Sequence, residues 1–246
     1  MDDVGRFMKN VGATVSRSFI VTIDGPAGSG KTTVSRLVAE ELGFDYVDTG
    51  ALYRGIAFAA VTAKIELDDD DALDRLCRRL AIHMVRETDG LHIFINGADV
   101  SREIRVPDIS MAASAVSARP VVRRYLLKLQ QDLGRDRQAV FEGRDMGTVV
   151  FPNADVKFFL DADIKVRAER RHREMTHDLT LEQVQEDMMR RDKNDSSRTV
   201  APLKAAADAV YMDTTDLSIR QVVDLMIACV TDRFQQRNRA LNGSII

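Results

Sequence analysis

The sequence predicts an α/β fold, a parallel sheet with helices on both faces, and three observations carry that reading. Short apolar runs alternate with segments of helical spacing along most of the chain. A glycine-rich stretch, Gly25-Pro26-Ala27-Gly28-Ser29-Gly30-Lys31-Thr32, joins the first apolar run to the first helix. One segment, about 67–105, breaks the alternation with antiparallel material and so predicts a small inserted α+β domain.

The first run, Phe19-Ile20-Val21-Thr22-Ile23-Asp24, reads as a buried strand, and Thr33 to Leu42 follows as a helix with Val34, Leu37, Val38 and Leu42 on one face. Residues 1–18 precede the strand as an N-terminal extension, expected to be a flexible arm or a short docking helix. Phe44 to Asp48 is the second strand, and Thr49 opens a helix to about Ala63. Asp68 to Asp71 cap a short helix, Ala72 to Leu80, and complement its dipole. Ile82–Arg86 and Leu91–Asn96, joined by a turn at Thr88-Asp89-Gly90, form a hairpin. Pro107 and Pro120 bracket two helices, Asp108–Val116 and Val121–Leu133. Gln138–Phe141 and Val156–Leu160 are strands; Asp163 to about Met175 and Thr180–Arg191 are helices; Ala209–Met212 is the last strand and Ser218 to about Arg233 the closing helix.

Bulk properties narrow the function classes. The chain has 246 residues, enough for one large domain with an insertion. Its 35 Lys and Arg against 38 Asp and Glu leave a net charge of -3, which supplies no general attraction to nucleic acid or anionic membrane. Cys77 and Cys229 are far apart, so reduced thiols that pack are expected rather than a disulfide framework. No apolar stretch reaches the roughly 18 residues that span a bilayer, and residues 1–18 lack the apolar core of a secretory signal. A cytoplasmic location is the expectation.

The glycine-rich stretch fits the phosphate-loop pattern of Gly, four residues, Gly-Lys, then Ser or Thr, in the strand-loop-helix setting it requires. Its glycines let successive N–H groups point at phosphate oxygens, and the following helix adds its positive end. Gly25 to Thr33 are therefore the candidate ATP contacts: Gly25, Pro26, Ala27, Gly28, Ser29, Gly30, Lys31, Thr32 and Thr33. Lys31, read as an exposed loop cation, would reach the β and γ phosphates, and the Thr32 hydroxyl would ligate Mg²⁺. Elsewhere, arginine recurs at strand ends and in turn-rich segments. Arg54 follows the second strand, Arg144-Asp145 ends a later one, Arg167, Arg170 and Arg171 share a helical face, and Arg191, Asp195 and Arg198 come after the next helix. Phosphoryl transfer makes sense of this, because its catalysis is positioning plus cations. An acceptor that is itself a phosphate needs no general base, which fits four histidines, His83, His92, His172 and His177, read as structural or solvated.

Four separated motifs then resemble bacterial-type cytidylate kinases: the phosphate loop, Asp48-Thr49-Gly50-Ala51-Leu52-Tyr53-Arg54, Gly143 to Pro152, and Arg191-Asp192 through Arg198-Thr199-Val200-Ala201-Pro202-Leu203. The similarity runs from about Phe19 to Val230. It implies the fold of the P-loop NTPase type, with an inserted domain on the side of the nucleoside monophosphate (NMP) and a helical, arginine-rich lid at about 165–198. It implies ATP- and Mg²⁺-dependent phosphorylation of CMP and dCMP. Carried over by residue, it places Thr49, Tyr53 and Arg54 beside the acceptor, and Ser114, Arg123 and Asp145 at the cytosine edge. Arg144 and Arg198 hold the acceptor phosphate and act with Lys31 in catalysis; Arg191 and Asp195 hold the sugar. Arg167, Arg170 and Arg171 close over ATP, and Asp145 is also a candidate to approach Mg²⁺ through water. The partners expected are ATP, CMP and dCMP, without nucleic acid or membrane, for a chain expected to act as a monomer. Two other readings stay open: a kinase for another monophosphate or a small hydroxyl substrate, and a nucleotide-driven switch or nucleic-acid-associated module.

Overall fold

The computed structural model describes residues 18–87, 90–174 and 179–243. Residues 1–17 of the expected extension, Thr88-Asp89 of the expected turn, Met175 and His177 lie outside the described residues. The chain divides into two compact units, Met1–Val47 with Leu133–Ile246, and Asp48–Asp132.

The first unit is built on a five-stranded sheet of β1 (Phe19–Asp24), β2 (Asp45–Asp48), β6 (Gln138–Gly143), β7 (Val156–Asp161) and β8 (Val210–Asp213) in the order β2-β6-β1-β7-β8. The pairings of β1 with β6 and β7, and of β7 with β8, are parallel, with Val21 opposite both Val140 and Val156. Every residue of β1 is buried, as a central strand covered on both faces requires. Against it pack α1 (Lys31–Leu42), through Val34, Val38 and Leu42, and α8 (Ile219–Gly243), through Val222, Val223, Met226, Val230 and Phe234. Phe19 meets Phe44 and Phe234 at ring-centroid distances of 5.9 and 5.2 Å. Cys229 falls off the apolar face of α8 and is exposed, whereas Cys77 is buried; only Cys77 is a packing residue.

The carboxyl ends of β1, β6 and β7 carry Asp24, Gly143 and Asp161, and the loops that leave them hold the chemistry. Chain direction there depends on Gly25. Its φ is 147°, and an added Cβ would stand 1.9 Å from the Leu160 carbonyl oxygen of β7. Backbone cannot yield as a side-chain tip can, so Gly25→Ala is expected to lower the thermal midpoint by about 5 °C or more; an unchanged melting curve would contradict this packing.

Two helices complete the unit, α6 (Ile164–Glu174) and α7 (Leu181–Ser197). Thr180 and Gln183 form a capping box at the start of α7. The helix runs past Arg191, so Arg191 and Asp195 lie within it rather than after it. The stretch Arg190 to Ser197 has no apolar periodicity to reveal a helix; its end is held instead by the Asp195 carbonyl, which accepts the Leu203 N–H at 2.8 Å.

The second unit contains α2 (Thr49–Thr62), α3 (Asp70–Arg79), an antiparallel sheet of β3 (Ile82–Glu87), β4 (Gly90–Ile95) and β5 (Ala98–Asp99), then α4 (Pro107–Val116) and α5 (Pro120–Gly134), the last two residues of which belong to the first unit. Ile93 and Ile95 of β4 pack toward Gly55 of α2, where a Cβ would be 3.2 Å from the Ile95 side chain. Helix α3 starts two residues before the spacing suggested, because the Asp69 carboxylate caps it by accepting the Ala72 N–H at 2.9 Å. Asp70 pairs with Arg119 at 2.8 Å.

Candidate active site

In the first unit the loop from Gly25 to Gly30 leads into α1 with Gly30 as the left-handed cap, φ 86°, so the cap residue itself offers no side chain to the first N–H groups of the helix. Such a terminus suits an anion. Gly28, φ 74°, lets the loop pass under α6, since a Cβ there would be 2.8 Å from the Arg167 carbonyl oxygen. Lys31 is buried, 4% exposed, so it is not the exposed cation expected from sequence; the loop folds over its stem, and its ammonium donates to the Pro26 carbonyl and to Ser29 Oγ. Burial, helped by the Arg144 and Arg191 charges and opposed by Glu142 and Asp24, brings its pKa down to about 7.

Asp24, the last residue of β1, accepts the N–H groups of Met146 and Gly147 at 2.9 and 2.8 Å. It thereby fixes the tight turn Met146–Val150, a single π-helical turn, that follows Arg144-Asp145. Burial pushes the Asp24 carboxyl up to about 7, with the two N–H groups pulling the other way. The signs of these two shifts oppose each other. Asp24 binds its proton more tightly folded than unfolded, so its contribution to stability falls as pH rises from about 4 to about 7. Lys31 binds its proton less tightly folded, so its contribution rises from about pH 7 to about 10.5. Urea unfolding without nucleotide at pH 5, 7 and 9 is expected to show that Lys31→Met removes part of the rise above pH 7. Parallel curves for wild type and variant would contradict it.

Next to this loop stands a chain of short bonds. Thr32 Oγ1 donates to Glu142 Oε1 at 2.6 Å, and the Tyr46 hydroxyl donates to Glu142 Oε2 at 2.6 Å. The acceptor-phosphate candidates meet on one carboxylate: Asp195, 2% exposed, takes Arg144 Nε at 3.2 Å and a short bond from Arg198 Nη2. Arg144 also donates to the Gly143 carbonyl at 3.2 Å. Asp145 is buried, and its carbonyl accepts the Val149 and Val150 N–H groups at 2.9 and 3.2 Å.

The three arginines of α6 do not act alike. Arg167 is buried and donates to the Ala162 carbonyl at 2.8 Å, to Asp192 at 2.5 Å and to the loop carbonyl of Ala27 at 3.2 Å. Arg170 donates to the Thr214 carbonyl at 2.7 Å. Arg171 is half-buried, with Glu174 at 3.6 Å.

In the second unit, Asp48 caps α2 by accepting the Ala51 N–H at 3.0 Å and pairs with Arg54 at 2.8 Å. Thr49 is buried at the first turn of that helix. The Arg123 guanidinium lies over the Tyr53 ring, 5.7 Å from its centroid, and donates to the Ser117 carbonyl at 3.1 Å. Ser114 is half-buried on α4, and its carbonyl accepts the Ser117 hydroxyl at 2.8 Å.

Within the first unit, then, Lys31, Thr32, Arg144, Asp195 and Arg198 are assembled around the carboxyl ends of the strands; within the second, Tyr53 and Arg123 are in contact, as are Asp48 and Arg54. Sequence reasoning passed over Asp24, Glu142, Tyr46 and Asp192. Asp24 and Glu142 had a usable signal, a carboxylate at or next to the end of an apolar strand beside a glycine; Asp192 stood in one of the four motifs without a role of its own, and nothing local marked Tyr46.

Fold and site together define a P-loop phosphotransferase: a glycine loop and buried lysine at a helix N-terminus, with a second set of cations gathered nearby in the same unit. The family model for cytidylate kinase matches residues 21–232. A cytidylate kinase from Geobacter sulfurreducens is 46% identical over 231 residues, covering 93% of this chain and 97% of that one. Another from Syntrophotalea carbinolica is 45% identical over 233 residues, covering 94% and 99%, and one from Bacillus subtilis is 41% identical over 222 residues, covering 89% and 99%. Among solved structures, a shikimate kinase from Acinetobacter baumannii in complex with shikimate aligns at a TM-score of 0.43 and 14% identity, covering 88% of this chain and 95% of that one, too low a likeness to bear on substrate. The chain belongs to the cytidylate kinase family.

Proposed function

We propose that this chain transfers the γ-phosphoryl group of ATP to CMP or dCMP, giving CDP or dCDP and ADP. The observation that carries the reading is the pairing of Arg144 and Arg198 on the buried Asp195 in the same unit as the Lys31 loop. One set of cations suits the donor phosphates and the other an acceptor that is already anionic. Gly25 to Thr33 bind ATP, and Lys31 neutralises charge on the moving phosphoryl group; a phosphate beside it would return its proton affinity toward the ordinary lysine range. Arg144 and Arg198 orient the CMP phosphate for in-line attack, Arg191 and Asp195 take the sugar, and Thr49, Tyr53 and Arg54 adjoin the acceptor. Ser114, Arg123 and Asp145 read the cytosine edge, for which a hydroxyl, a guanidinium and a carboxylate offer the needed donors and acceptors.

Mg²⁺ fits the residues present. Thr32 spends its one hydroxyl hydrogen on Glu142, so its oxygen has only lone pairs left to offer, which suits a hard cation. Among the described residues no group of three His, Cys, Asp or Glu could hold a metal, so Thr32, phosphate oxygens and water would do so, with Asp145 approaching through water. Bound there, Mg²⁺ would neutralise β- and γ-phosphate charge. Segment 67–105 is read as the inserted domain on the monophosphate side and 165–198 as the lid. For Arg167 and Arg170 to clamp phosphate they must exchange Asp192 and Thr214 for phosphate oxygens, while Arg171 needs only to swing. Among the described residues no helix is long and apolar enough to cross a membrane; a cytoplasmic monomer that engages neither membrane nor nucleic acid is part of this reading. Phosphorus NMR of ATP, Mg²⁺ and CMP with the protein is expected to show CDP and ADP growing equally. Inorganic phosphate in place of CDP would contradict the proposal.

A further inference from the structure

We propose that Tyr46 is a positioning residue which, through Glu142, fixes the direction of the Thr32 hydroxyl and so sets how tightly a divalent cation is held with the nucleotide. The inference rests on the reading of Thr32 as the cation-side hydroxyl.

The geometry is a three-member chain within the first unit. Glu142 is the penultimate residue of β6 and is 7% exposed, with one carboxylate oxygen 2.6 Å from Thr32 Oγ1 and the other 2.6 Å from the Tyr46 hydroxyl. An ionised carboxylate only accepts, so both hydroxyls must donate. The short distances mark charge-assisted bonds. Thr32, having one hydrogen, is committed: it can present lone pairs to a cation but cannot donate to a phosphate without leaving Glu142.

Tyr46 supplies what Thr32 alone does not. A carboxylate held at one oxygen can still rotate, and Lys31 is close enough for the Glu142 charge to raise its proton affinity. With the second oxygen occupied from β2, the neighbouring strand in the sheet, rotation stops and the first oxygen stays aimed at Thr32. Loss of the Tyr46 hydroxyl would remove the hold on the second oxygen and let Glu142 shift toward the Lys31 ammonium, loosening its bond to the Thr32 hydroxyl. The ring itself would keep its partly buried packing against the core.

Tyr46→Phe removes the hydroxyl and keeps the ring. Calorimetric titration of ADP at a series of Mg²⁺ concentrations reads cation affinity without turnover. The Mg²⁺ concentration giving half of the full enhancement in ADP affinity is expected to rise about tenfold in Tyr46→Phe, the effect of losing an outer-sphere partner, while affinity for ADP without Mg²⁺ stays within about twofold of wild type. Glu142→Gln, which keeps the shape but gives one side an amide in place of an acceptor, should shift the same midpoint, and adding Tyr46→Phe to it should shift it little further. An unchanged midpoint in Tyr46→Phe overturns the inference, as does an equal loss of ADP affinity with and without Mg²⁺, which would make Tyr46 a general support of the loop. Wild-type protein that binds no ADP would instead overturn the phosphate-loop reading, and the inference with it.

Discussion

Lys31→Ala is expected to lower kcat by about a thousandfold at saturating ATP and CMP, the scale seen when a preorganised group facing developing charge is removed. The lysine contributes nothing to the core that alanine would forfeit at a comparable cost. Its ammonium is buried against a carbonyl and a hydroxyl, and burial works against its charged form. Stability near pH 7 should therefore hold or rise, separating a catalytic loss from a folding loss. Initial rates together with urea midpoints check both parts. A folded variant within tenfold of the wild-type rate would remove Lys31 from the mechanism.

The second large effect is expected at Arg144. Arg144→Ala takes away one of the two guanidiniums on Asp195 and leaves that buried carboxylate with Arg198. Loss of kcat/KM for CMP by about a hundredfold is expected, on the scale of truncating one partner of a buried charge pair, and ATP affinity should move little. Equilibrium binding of ATP beside steady-state kinetics in CMP tests the asymmetry. If ATP affinity collapses while the CMP constant stays put, Arg144 serves the donor.

The frame of the fold was legible because its signals are local. A strand with every residue buried reads as a near-continuous apolar run, and β1 is one, interrupted by Thr22 and ended by Asp24; helix α1 shows its face at Val34, Val38 and Leu42. The phosphate loop was legible because backbone geometry demands its glycines and its chemistry demands Lys31 and Thr32. What escaped the sequence depends on distant partners. The last two turns of α7 carry polar residues whose helical state is tied to the Leu203 N–H and to Arg144 and Arg198 on Asp195. The π-helical turn at Met146 exists because Asp24, more than a hundred residues earlier, collects its N–H groups. The two-residue strand β5 is too short for alternation to show; its register on Phe94 and Ile95 marks it. The burial of Lys31, read from the sequence as an exposed loop cation, and the pairing of Arg167 with Asp192 likewise follow from tertiary packing, which one-dimensional spacing does not show.

The central claim is that this chain phosphorylates cytidine monophosphates, and the most direct measurement is ADP formation from ATP and Mg²⁺ with CMP, dCMP, UMP, AMP, GMP, TMP or no acceptor, each product identified. CMP and dCMP are expected to lead clearly, with little ADP formed when no acceptor is present. Equal turnover of UMP, AMP and CMP, or a lead by another monophosphate, would contradict the assignment of Ser114, Arg123 and Asp145 as the groups that read cytosine.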